Sequence, residues 1–270
     1  MEPSSQPGNL WHSGAMSEQL RVRVHQWASG LDAAANRARL PEAVTPGADL
    51  VVLPEAFARD FGEAGSDVSG FAEPLDGPFG TELARVADAA SCTVVAGMFE
   101  VAEDPARPYN TLLVGGTSRA TYRKIHLYDS FGYRESDRLT GGATEPVVVD
   151  VAGWQVGLMA CYDLRFPELA RRLVDAGAEV LVVPAAWLPG DRKVAHWRTL
   201  LAARAIENTC FVVGAGQPEP RYVGHSAVFG PLGQALAEAG GGEESLEVTL
   251  DRADLLAARR TNPSLANRRL

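Results

Sequence analysis

The sequence predicts an α/β fold in which two β-sheets pack face to face between outer helices, a four-layer αββα sandwich. Strand-like apolar runs alternate with helical patterns in both halves of the 270-residue chain. No Pro/Gly/Ser-rich linker divides the chain internally, so we expect one domain. The runs are rich in valine, as expected of strands that are covered on both faces; the valines concerned are Val51, Val52, Val94, Val95, Val147, Val148, Val149, Val182, Val183, Val212 and Val213.

The first half of the chain contains five predicted strands and two predicted helices. Asp32 is a suitable N-cap for the first helix, and apolar residues at helical spacing between Leu83 and Ala90 predict the second. Gly115-Gly116 indicates a turn between two closely spaced strands. The predicted strands cover residues 21–27, 49–54, 92–99, 110–116 and 119–124, and the second helix covers 80–90.

The second half repeats this order of elements without evident sequence identity to the first. Gly153 lies between two predicted strands, and Asp251 is a suitable N-cap for a last helix that ends near Arg260. The predicted strands cover residues 146–151, 154–160, 179–184, 210–215, 225–229, 233–238 and 245–250, and the predicted helices cover 167–176 and 193–207.

Composition argues against several classes of function. With 25 basic and 34 acidic residues the formal charge is −9, and the basic residues are scattered, which disfavours nucleic acid or an anionic membrane as a partner. The three cysteines, Cys92, Cys161 and Cys210, lack CxxC spacing, which disfavours a disulfide framework and a zinc site. No GxGxxG follows a strand and no HExxH occurs. We therefore expect a small-molecule substrate without metal or cofactor, and we predict that Cys92 and Cys210 are buried structural thiols.

The first 18 residues are rich in Ser, Pro and Gly, and we predict that they form a disordered extension before a domain over residues 19–270. Met16 is an alternative candidate for the start of the chain. The extension has neither the basic start nor the apolar segment of a signal peptide. No stretch approaches the roughly 20 apolar residues that span a bilayer. We therefore expect a soluble, cytoplasmic protein.

Three residues of complementary chemistry follow predicted strands. Glu55 ends the run Leu-Val-Val-Leu-Pro, Lys124 ends Thr-Tyr-Arg, and Cys161 follows the apolar run over 154–160. Open α/β sheets place their chemistry at the carboxyl ends of strands. If the three side chains converge there, they form an activated nucleophile for attack on an amide or nitrile carbon.

Each of the three residue types has a defined task in such a reaction. A free thiol with a reference pKa of about 8.5 is only a few per cent thiolate at pH 7, so it needs a base or a cation beside it. Glu55 would be the general base, and Lys124 would stabilise the oxyanion with a backbone N–H just after Cys161. Taken singly, Glu55 could be a helix cap or a surface carboxylate, Lys124 an exposed edge-strand cation, and Cys161 a core thiol.

The strings VVLPEAF, YRKIHLYD and CYDLRFPEL, in this order, resemble the three signatures of the nitrilase superfamily of carbon-nitrogen hydrolases. The segments AHWRTLLAARAIEN and GHSAVFGPLGQALAE resemble the same superfamily, so the likeness extends from about residue 20 to the carboxyl terminus. The resemblance implies the αββα fold, usually as a homodimer. It also implies that Glu55 is the base, Lys124 the oxyanion residue and Cys161 the nucleophile, and that Glu135 orients Lys124 and the substrate. The alternative for Glu135 is a solvated loop carboxylate.

Tyr162-Asp163 after the cysteine is more similar to the amidase branches than to true nitrilases, which commonly have Trp-Glu there. The motifs resemble most the Nit-type amidases, which include omega-amidase and deaminated glutathione amidase and act on amides of small dicarboxylates. A substrate carboxylate needs a cation, and Arg165 is the natural candidate, with Tyr162 as a second substrate-binding residue. Arg165 could instead form a structural ion pair with Glu168 or Asp163.

The chain departs from the Nit-type pattern before Ala-His-Trp, where Gly-Pro is usual. It has Asp191-Arg192-Lys193-Val194 at this place, near the active-site mouth in the superfamily, so the preferred amide can differ. Arg192 or Lys193 could contact a substrate carboxylate, but a solvated helix start is the favoured interpretation. Four further residues are expected to pack rather than catalyse, namely His126, His196, Trp197 and His225.

The leading hypothesis is an amidase that forms a thioester with Cys161 and releases ammonia. An N-carbamoyl amino acid or ureide hydrolase and an aliphatic nitrilase would use the same Glu55, Lys124 and Cys161. Carbon dioxide released with the ammonia would distinguish the carbamoyl or ureide reaction. A third hypothesis is a non-catalytic partner protein that keeps the sandwich as a binding scaffold.

Overall fold

The computed structural model describes residues 17–269 as two six-stranded sheets and a two-stranded hairpin. The predicted disorder of the N-terminal extension and the alternative start at Met16 concern residues that lie, apart from 17 and 18, outside the described residues. The strands are β1 Gln19–Gln26, β2 Leu50–Val52, β3 Thr93–Glu100, β4 Tyr109–Gly116, β5 Ala120–Arg123, β6 Asp129–Ser130, β7 Tyr133–Arg134, β8 Val148–Val151, β9 Trp154–Leu158, β10 Val180–Ala185, β11 Phe211–Gly216, β12 Ala227–Phe229, β13 Ala235–Glu238 and β14 Glu244–Asp251.

The helices confirm the predicted N-caps. The Asp32 side chain accepts hydrogen bonds from the N–H groups of Ala34 and Ala35, and Asp251 accepts one from Ala253. The α-helices are α1 Ala33–Ala38, α2 Leu40–Ala43, α3 Pro78–Ala90, α4 Pro167–Asp175, α5 Lys193–Asn208, α6 Arg252–Thr261 and α7 Ser264–Asn267, and the 3-10 turns are Ser69–Phe71, Glu135–Asp137 and Cys161–Arg165.

The first sheet has the order β14-β1-β2-β3-β4-β5, and the second has the order β13-β12-β11-β10-β9-β8. The central strands are parallel in both sheets, β1 to β3 in one and β9 to β11 in the other. β14 comes from the second half of the chain but lies antiparallel to β1 in the first sheet, paired along eight residues. The two halves are therefore not independent sheet units.

The two faces of the first sheet pack into different cores, which confirms the four-layer sandwich. Val52 and Val95 pack between the sheets together with Val156 and Leu158 of β9. The neighbouring residues of the same strands, such as Val51, point to the other face and pack with α3 and the loops outside the sheet. This period of two is the side-chain alternation of a strand. Burying a valine stabilises the fold by about 1.5–3 kcal/mol, so both faces contribute.

The predicted elements are confirmed to within two residues at their ends, with one wrong assignment. Several short elements were not predicted, namely α2, α7, the hairpin β6–β7 and the 3-10 turns Ser69–Phe71 and Glu135–Asp137. Gly115 and Gly116 are not the turn but the last residues of β4, and Gly116 pairs with Thr93. Gly116 has φ +102° and a Cβ there would lie 2.1 Å from the Cys92 carbonyl oxygen, so only glycine fits this close approach.

Among residues 17–269, no helix is both long and apolar enough to cross a membrane.

Candidate active site

Glu55 is held at the end of β2 by groups from both sheets. Its side chain is 1% exposed, and Oε2 accepts a hydrogen bond of 2.7 Å from the backbone N–H of Ala186, beyond β10 in the second sheet. Gln217 donates a hydrogen bond of 2.9 Å to its carbonyl oxygen. A Cβ on Gly97 of β3 would lie 2.2 Å from the N atom of Ala56. Only glycine at this position lets the segment that carries Glu55 pack so closely against β3. Glu55 is therefore a fixed, buried carboxylate and not a surface one.

Lys124 lies directly after β5, and its ammonium group is enclosed by two carboxylates. Nζ lies 3.1 Å from Glu55 Oε1 and 2.9 Å from Glu135 Oε2, and the side chain is 2% exposed. Burial alone would lower the pKa of Lys124, but the negative charges of Glu135 and Glu55 outweigh it and raise the pKa well above its usual value. Lys124 is therefore a permanent, buried cation and not an exposed edge-strand residue.

Glu135 is buried, with 3% of its side chain exposed, so it is not a solvated loop carboxylate. Its Oε2 accepts a hydrogen bond of 2.5 Å from the backbone N–H of Tyr128, and its own N–H donates to the Tyr128 carbonyl oxygen at 3.1 Å. These two bonds fix the loop around β6 and β7 against the carboxylate. Through its carboxylate, Glu135 therefore contacts both the ammonium of Lys124 and the backbone of Tyr128.

Asn110 is a polar residue of the site that the sequence analysis missed. Its Nδ2 donates to Glu55 Oε1 at 2.7 Å and to Glu135 Oε1 at 3.3 Å. Its own side chain is 1% exposed, and its Oδ1 has no hydrogen-bond partner within the described residues. The available signal was an asparagine inside a strand, where this residue type is depleted. Asn110 bridges the two carboxylates and so fixes their positions relative to each other.

Cys161 begins a 3-10 turn at the carboxyl end of β9, with φ at +45°. A non-glycine residue in this left-handed region is held there at a cost and is frequent at functional sites. The thiol is buried, with 7% of the residue exposed, and it lies close enough to Glu55 for the negative charge of that carboxylate to act on it. Burial, with the negative charge of Glu55 second, raises the pKa of Cys161 well above its usual value although Lys124 opposes this. Before any reaction, the Cys161 side chain is thus a neutral thiol.

Asp163 fixes the turn that carries Cys161 and is itself 0% exposed. Oδ2 accepts hydrogen bonds from the Ala160 N–H at 2.9 Å and from the Tyr122 hydroxyl at 2.5 Å. Oδ1 accepts from the N–H of His126 at 3.1 Å and lies 2.7 Å from its Nδ1. Asp163 therefore ties the turn at Cys161 to the segment on either side of Lys124. His126 also stacks on Phe166, with ring centroids 3.8 Å apart, which agrees with the predicted packing role.

A cavity of about 410 Å³ opens above these residues. Glu55, Lys124, Glu135 and Cys161 all line it, so the four residues predicted for catalysis meet in one place. Tyr162 lines it too. The walls also include the side chains of Tyr128, Phe131, Trp187, Lys193 and Arg221.

Lys193 and Arg165 lie where the sequence did not predict them. Lys193 is buried and lines the cavity, so the prediction of a solvated helix start is wrong for it, although the neighbouring Arg192 side chain is 79% exposed. Arg165 is not among the residues that line the cavity, and its guanidinium carbon lies 4.9 Å from the centre of the Trp187 ring. No ion pair joins Arg165 to Glu168 or Asp163 within the described residues.

The other two cysteines are buried, as predicted. Burial raises the pKa of Cys92 to about 11 and that of Cys210 to about 12. Neither thiol lines the cavity. Within residues 17–269, no group of three or more His, Cys, Asp or Glu side chains is arranged to hold a metal ion.

Comparison with known proteins agrees with this geometry. Residues 16–260 match the model of the family described as carbon-nitrogen hydrolase. The chain is 44% identical over 193 residues to the deaminated glutathione amidase of Escherichia coli O157:H7, covering 70% of this chain and 73% of that protein. It is 34% identical over 241 residues to human omega-amidase NIT2, covering 84% and 86%.

A solved structure shares the whole fold. A CN-hydrolase superfamily protein of Xanthomonas campestris superposes with a TM-score of 0.84 at 29% identity, covering 94% of this chain and 98% of the other. The family match, the fold and the amidase-named relatives agree with one another. The chain belongs to the carbon-nitrogen hydrolase family of the nitrilase superfamily, and it is a hydrolase of the Nit-type amidase group that acts on non-peptide C–N bonds.

Proposed function

We propose that the protein is a cysteine-dependent amidase that hydrolyses small amides through a thioester on Cys161 and releases ammonia. The observation that carries this proposal is the single cavity lined by Cys161, Glu55 and Lys124, in which Glu55 is paired with the buried ammonium of Lys124 at 3.1 Å. A thiol with a raised pKa needs a base at the moment of attack, and Glu55 is that base.

The first half of the reaction uses the three side chains together. Glu55 takes the proton from Cys161 as its sulfur bonds to the amide carbon, and the carbonyl oxygen becomes an oxyanion. The Lys124 ammonium and the N–H of Tyr162 stabilise this charge, since an N–H at the start of a helical turn has no intrahelical partner. Glu55 then passes the proton to the nitrogen, the C–N bond breaks, and ammonia leaves the thioester.

The second half of the reaction reverses these roles with water. Glu55 accepts a proton from a water molecule that attacks the thioester carbon, and the oxyanion forms again beside Lys124. When it collapses, the C–S bond breaks and Glu55 returns the proton to the sulfur. The products are the carboxylic acid and the free thiol, so atoms and charges balance over the cycle.

The positions of Glu135 and Asn110 support this division of tasks. Glu135 accepts two hydrogen bonds from Lys124 Nζ, at 2.9 and 3.2 Å, which holds the ammonium in place before substrate arrives. Asn110 donates to the same oxygen of Glu55 that faces Lys124, which leaves Oε2 on the Ala186 N–H. Such fixed charges and dipoles need little reorganisation during reaction.

We further propose amides that carry a carboxylate as the preferred substrates. The names of the relatives, deaminated glutathione amidase and omega-amidase, support this class. Of the two predicted substrate-binding residues, Tyr162 lies on the cavity wall, whereas Arg165 packs against Trp187 and does not line the cavity. N-carbamoyl amino acids, ureides and nitriles would meet the same catalytic residues, so product analysis has to separate them.

Ammonia release from purified protein tests the proposal. We expect ammonia from monoamides of succinate or glutarate, without carbon dioxide. Hydroxylamine added to the reaction should yield the hydroxamate, because it intercepts a thioester, and Cys161→Ala should yield neither product. Equal turnover by Cys161→Ala, or carbon dioxide released in step with ammonia, would contradict the proposed reaction.

A further inference from the structure

Lys193 is the first residue of α5, and its side chain points into the protein instead of into solvent. Arg192, with φ at +58°, turns the chain sharply just before it. Trp187 donates a hydrogen bond from Nε1 to the Lys193 carbonyl oxygen at 3.1 Å. Only 7% of Lys193 is exposed, and the side chain lines the same cavity as Cys161.

The ammonium of Lys193 is surrounded by aromatic rings. Nζ lies 4.1 Å from the centre of the Phe131 ring, 5.3 Å from Tyr128 and 5.9 Å from Trp187. Phe131 lies in the turn between β6 and β7, so the tip of this hairpin packs against the ammonium. One of the three ammonium protons is used, in a hydrogen bond of 3.0 Å to the Tyr128 hydroxyl.

No acidic residue of the described chain forms an ion pair with Lys193, unlike Lys124, the other buried lysine of the cavity. Lys124 is held by Glu55 and Glu135, and even the more exposed Arg221 is paired with Asp60 at 2.8 Å. Burial, with the charge of Arg165 second, lowers the pKa of Lys193. A buried cation without a carboxylate is costly in a folded protein, which indicates that the partner arrives with a ligand.

We propose that Lys193 binds the carboxylate of the substrate's acyl chain, and that it selects amides with an anionic group at the far end from the reacting carbon. This inference rests on the proposed amidase function, because it assigns the second end of that substrate. The two remaining protons of the ammonium would bond the carboxylate, while Tyr128 keeps Nζ in position. Charge-assisted hydrogen bonds of this kind are stronger than neutral ones.

Tyr128 couples this subsite to the catalytic residues. Its backbone N–H and carbonyl oxygen bond Glu135, its hydroxyl bonds Lys193, and its ring contacts Tyr162 edge-on with centroids 5.0 Å apart. One residue thus spans the distance between the carboxylate that holds Lys124 and the ammonium of Lys193. The acyl chain of the substrate therefore has to extend from Cys161 past Tyr128 to Lys193.

Arg165 has a different place from Lys193 and therefore a different expected effect. Its guanidinium packs over Trp187 and does not line the cavity, while its Nε and Nη2 are buried without a partner in the described residues. In this proposal it adds positive charge next to the Trp187 ring and makes no contact with the ligand. The Lys193 subsite is thus the direct contact, and Arg165 strengthens its field.

Kinetics of Lys193→Met on two matched substrates test the proposal. Glutaric acid monoamide carries the carboxylate, and pentanamide has the same carbon chain without it. We expect KM for the anionic amide to rise about 10- to 100-fold with kcat changed only a few-fold, as for loss of a charge-assisted hydrogen bond. KM for pentanamide should not rise. Lys193→Arg, which keeps the charge, should restore part of the loss, and Arg192→Met is the control for an exposed neighbour.

Binding of glutarate itself separates this inference from the proposed reaction. By calorimetry, the parent protein and Cys161→Ala should bind glutarate, and Lys193→Met should bind it at least about tenfold more weakly. If no amide is hydrolysed but this pattern holds, the proposed function fails and the carboxylate subsite stands. Equal glutarate affinity for the parent and Lys193→Met, or an equal rise of KM for both amides, overturns the subsite. Circular dichroism confirms that each variant is folded.

Discussion

The two ends of the cavity use buried charge in opposite ways. At the catalytic end, the ammonium of Lys124 lies within hydrogen-bond distance of Glu55 and Glu135, so every charge has a partner in the folded protein. At the far end, Lys193 and Arg165 lie near each other without a carboxylate among the described residues. The catalytic end is complete without substrate, whereas the far end has a cation that lacks its counter-ion.

This difference follows from what each end has to do. Catalytic groups act best when their charges are fixed before the reaction, because reorganisation during the reaction costs rate. A recognition cation acts best when its counter-ion is the ligand, because an internal carboxylate would compete with it. The catalytic end also has two carboxylates against one ammonium. In the proposed function, these carboxylates would repel an anionic substrate, and Lys193 would attract its carboxylate and so orient the amide toward Cys161.

The largest effect is expected at the catalytic end from Cys161→Ala. Loss of the nucleophile should reduce kcat by about four orders of magnitude or more, because the remaining groups cannot form a covalent intermediate. Ammonia release measures the effect. Cys92→Ala is the matched control, since Cys92 is also buried but lies outside the cavity. A similar loss in both variants would mean that the effect is structural.

Glu135→Gln should have the next largest effect on activity. It keeps the shape of the side chain but removes the nearest negative charge from Lys124. We expect kcat to fall by about 100-fold while KM changes little, because the oxyanion group loses its fixed position. Asp137→Asn changes a neighbouring carboxylate whose side chain is 62% exposed, and it should retain parental activity. A KM effect without a kcat effect would argue against this role.

Asp163→Asn tests the hydrogen bonds that hold the turn at Cys161 in place. Both carboxylate oxygens of Asp163 accept a backbone N–H, from Ala160 and from His126, so the NH₂ of an asparagine must face one of these donors. We expect the free energy of unfolding to fall by about 1–3 kcal/mol, and kcat to fall about tenfold as the turn at Cys161 shifts. Urea unfolding and ammonia release measure the two effects. Asp191→Asn, at a side chain that is 96% exposed, should change neither.

The smallest effect is expected from pH at the far end. Burial first, and then Arg165, lower the pKa of Lys193, against weaker opposing effects of Cys161 and Tyr162; the pKa of Tyr128, which bonds it, is raised. The ammonium is present below its pKa and is lost as pH rises through it. KM for glutaric acid monoamide should therefore rise a few-fold at alkaline pH, while KM for pentanamide should not.

Lys193→Arg is the control for this pH effect, because arginine keeps its charge throughout the range. The rise in KM should be absent in that variant. A parallel rise for both amides in the parent protein would locate the pH effect at the catalytic end instead. Initial rates across the pH range, each at several substrate concentrations, decide between the two.

The sequence predicted most of the fold and the residues of the catalytic end because both depend on local pattern. Valine-rich runs and the caps at Asp32 and Asp251 specify strands and helix starts within a few residues of themselves. Glu55, Lys124 and Cys161 each follow a strand directly. Strand ends meet at the edge of a sheet, so position in the motif already implied position in space.

Tertiary structure alone decided the rest, since it depends on contacts between segments far apart in the chain. Local polarity predicts a solvated Lys193, but Phe131 and Trp187 close over it. In the sequence, Asn110 is only a polar residue inside the apolar strand β4. In the structure, its amide donates hydrogen bonds to Glu55 and Glu135. β14 joins the first sheet through antiparallel pairing with eight residues of β1, a contact between the two ends of the chain. Burial is a property of the folded neighbourhood, so a charged side chain's surroundings cannot be obtained from its adjacent residues.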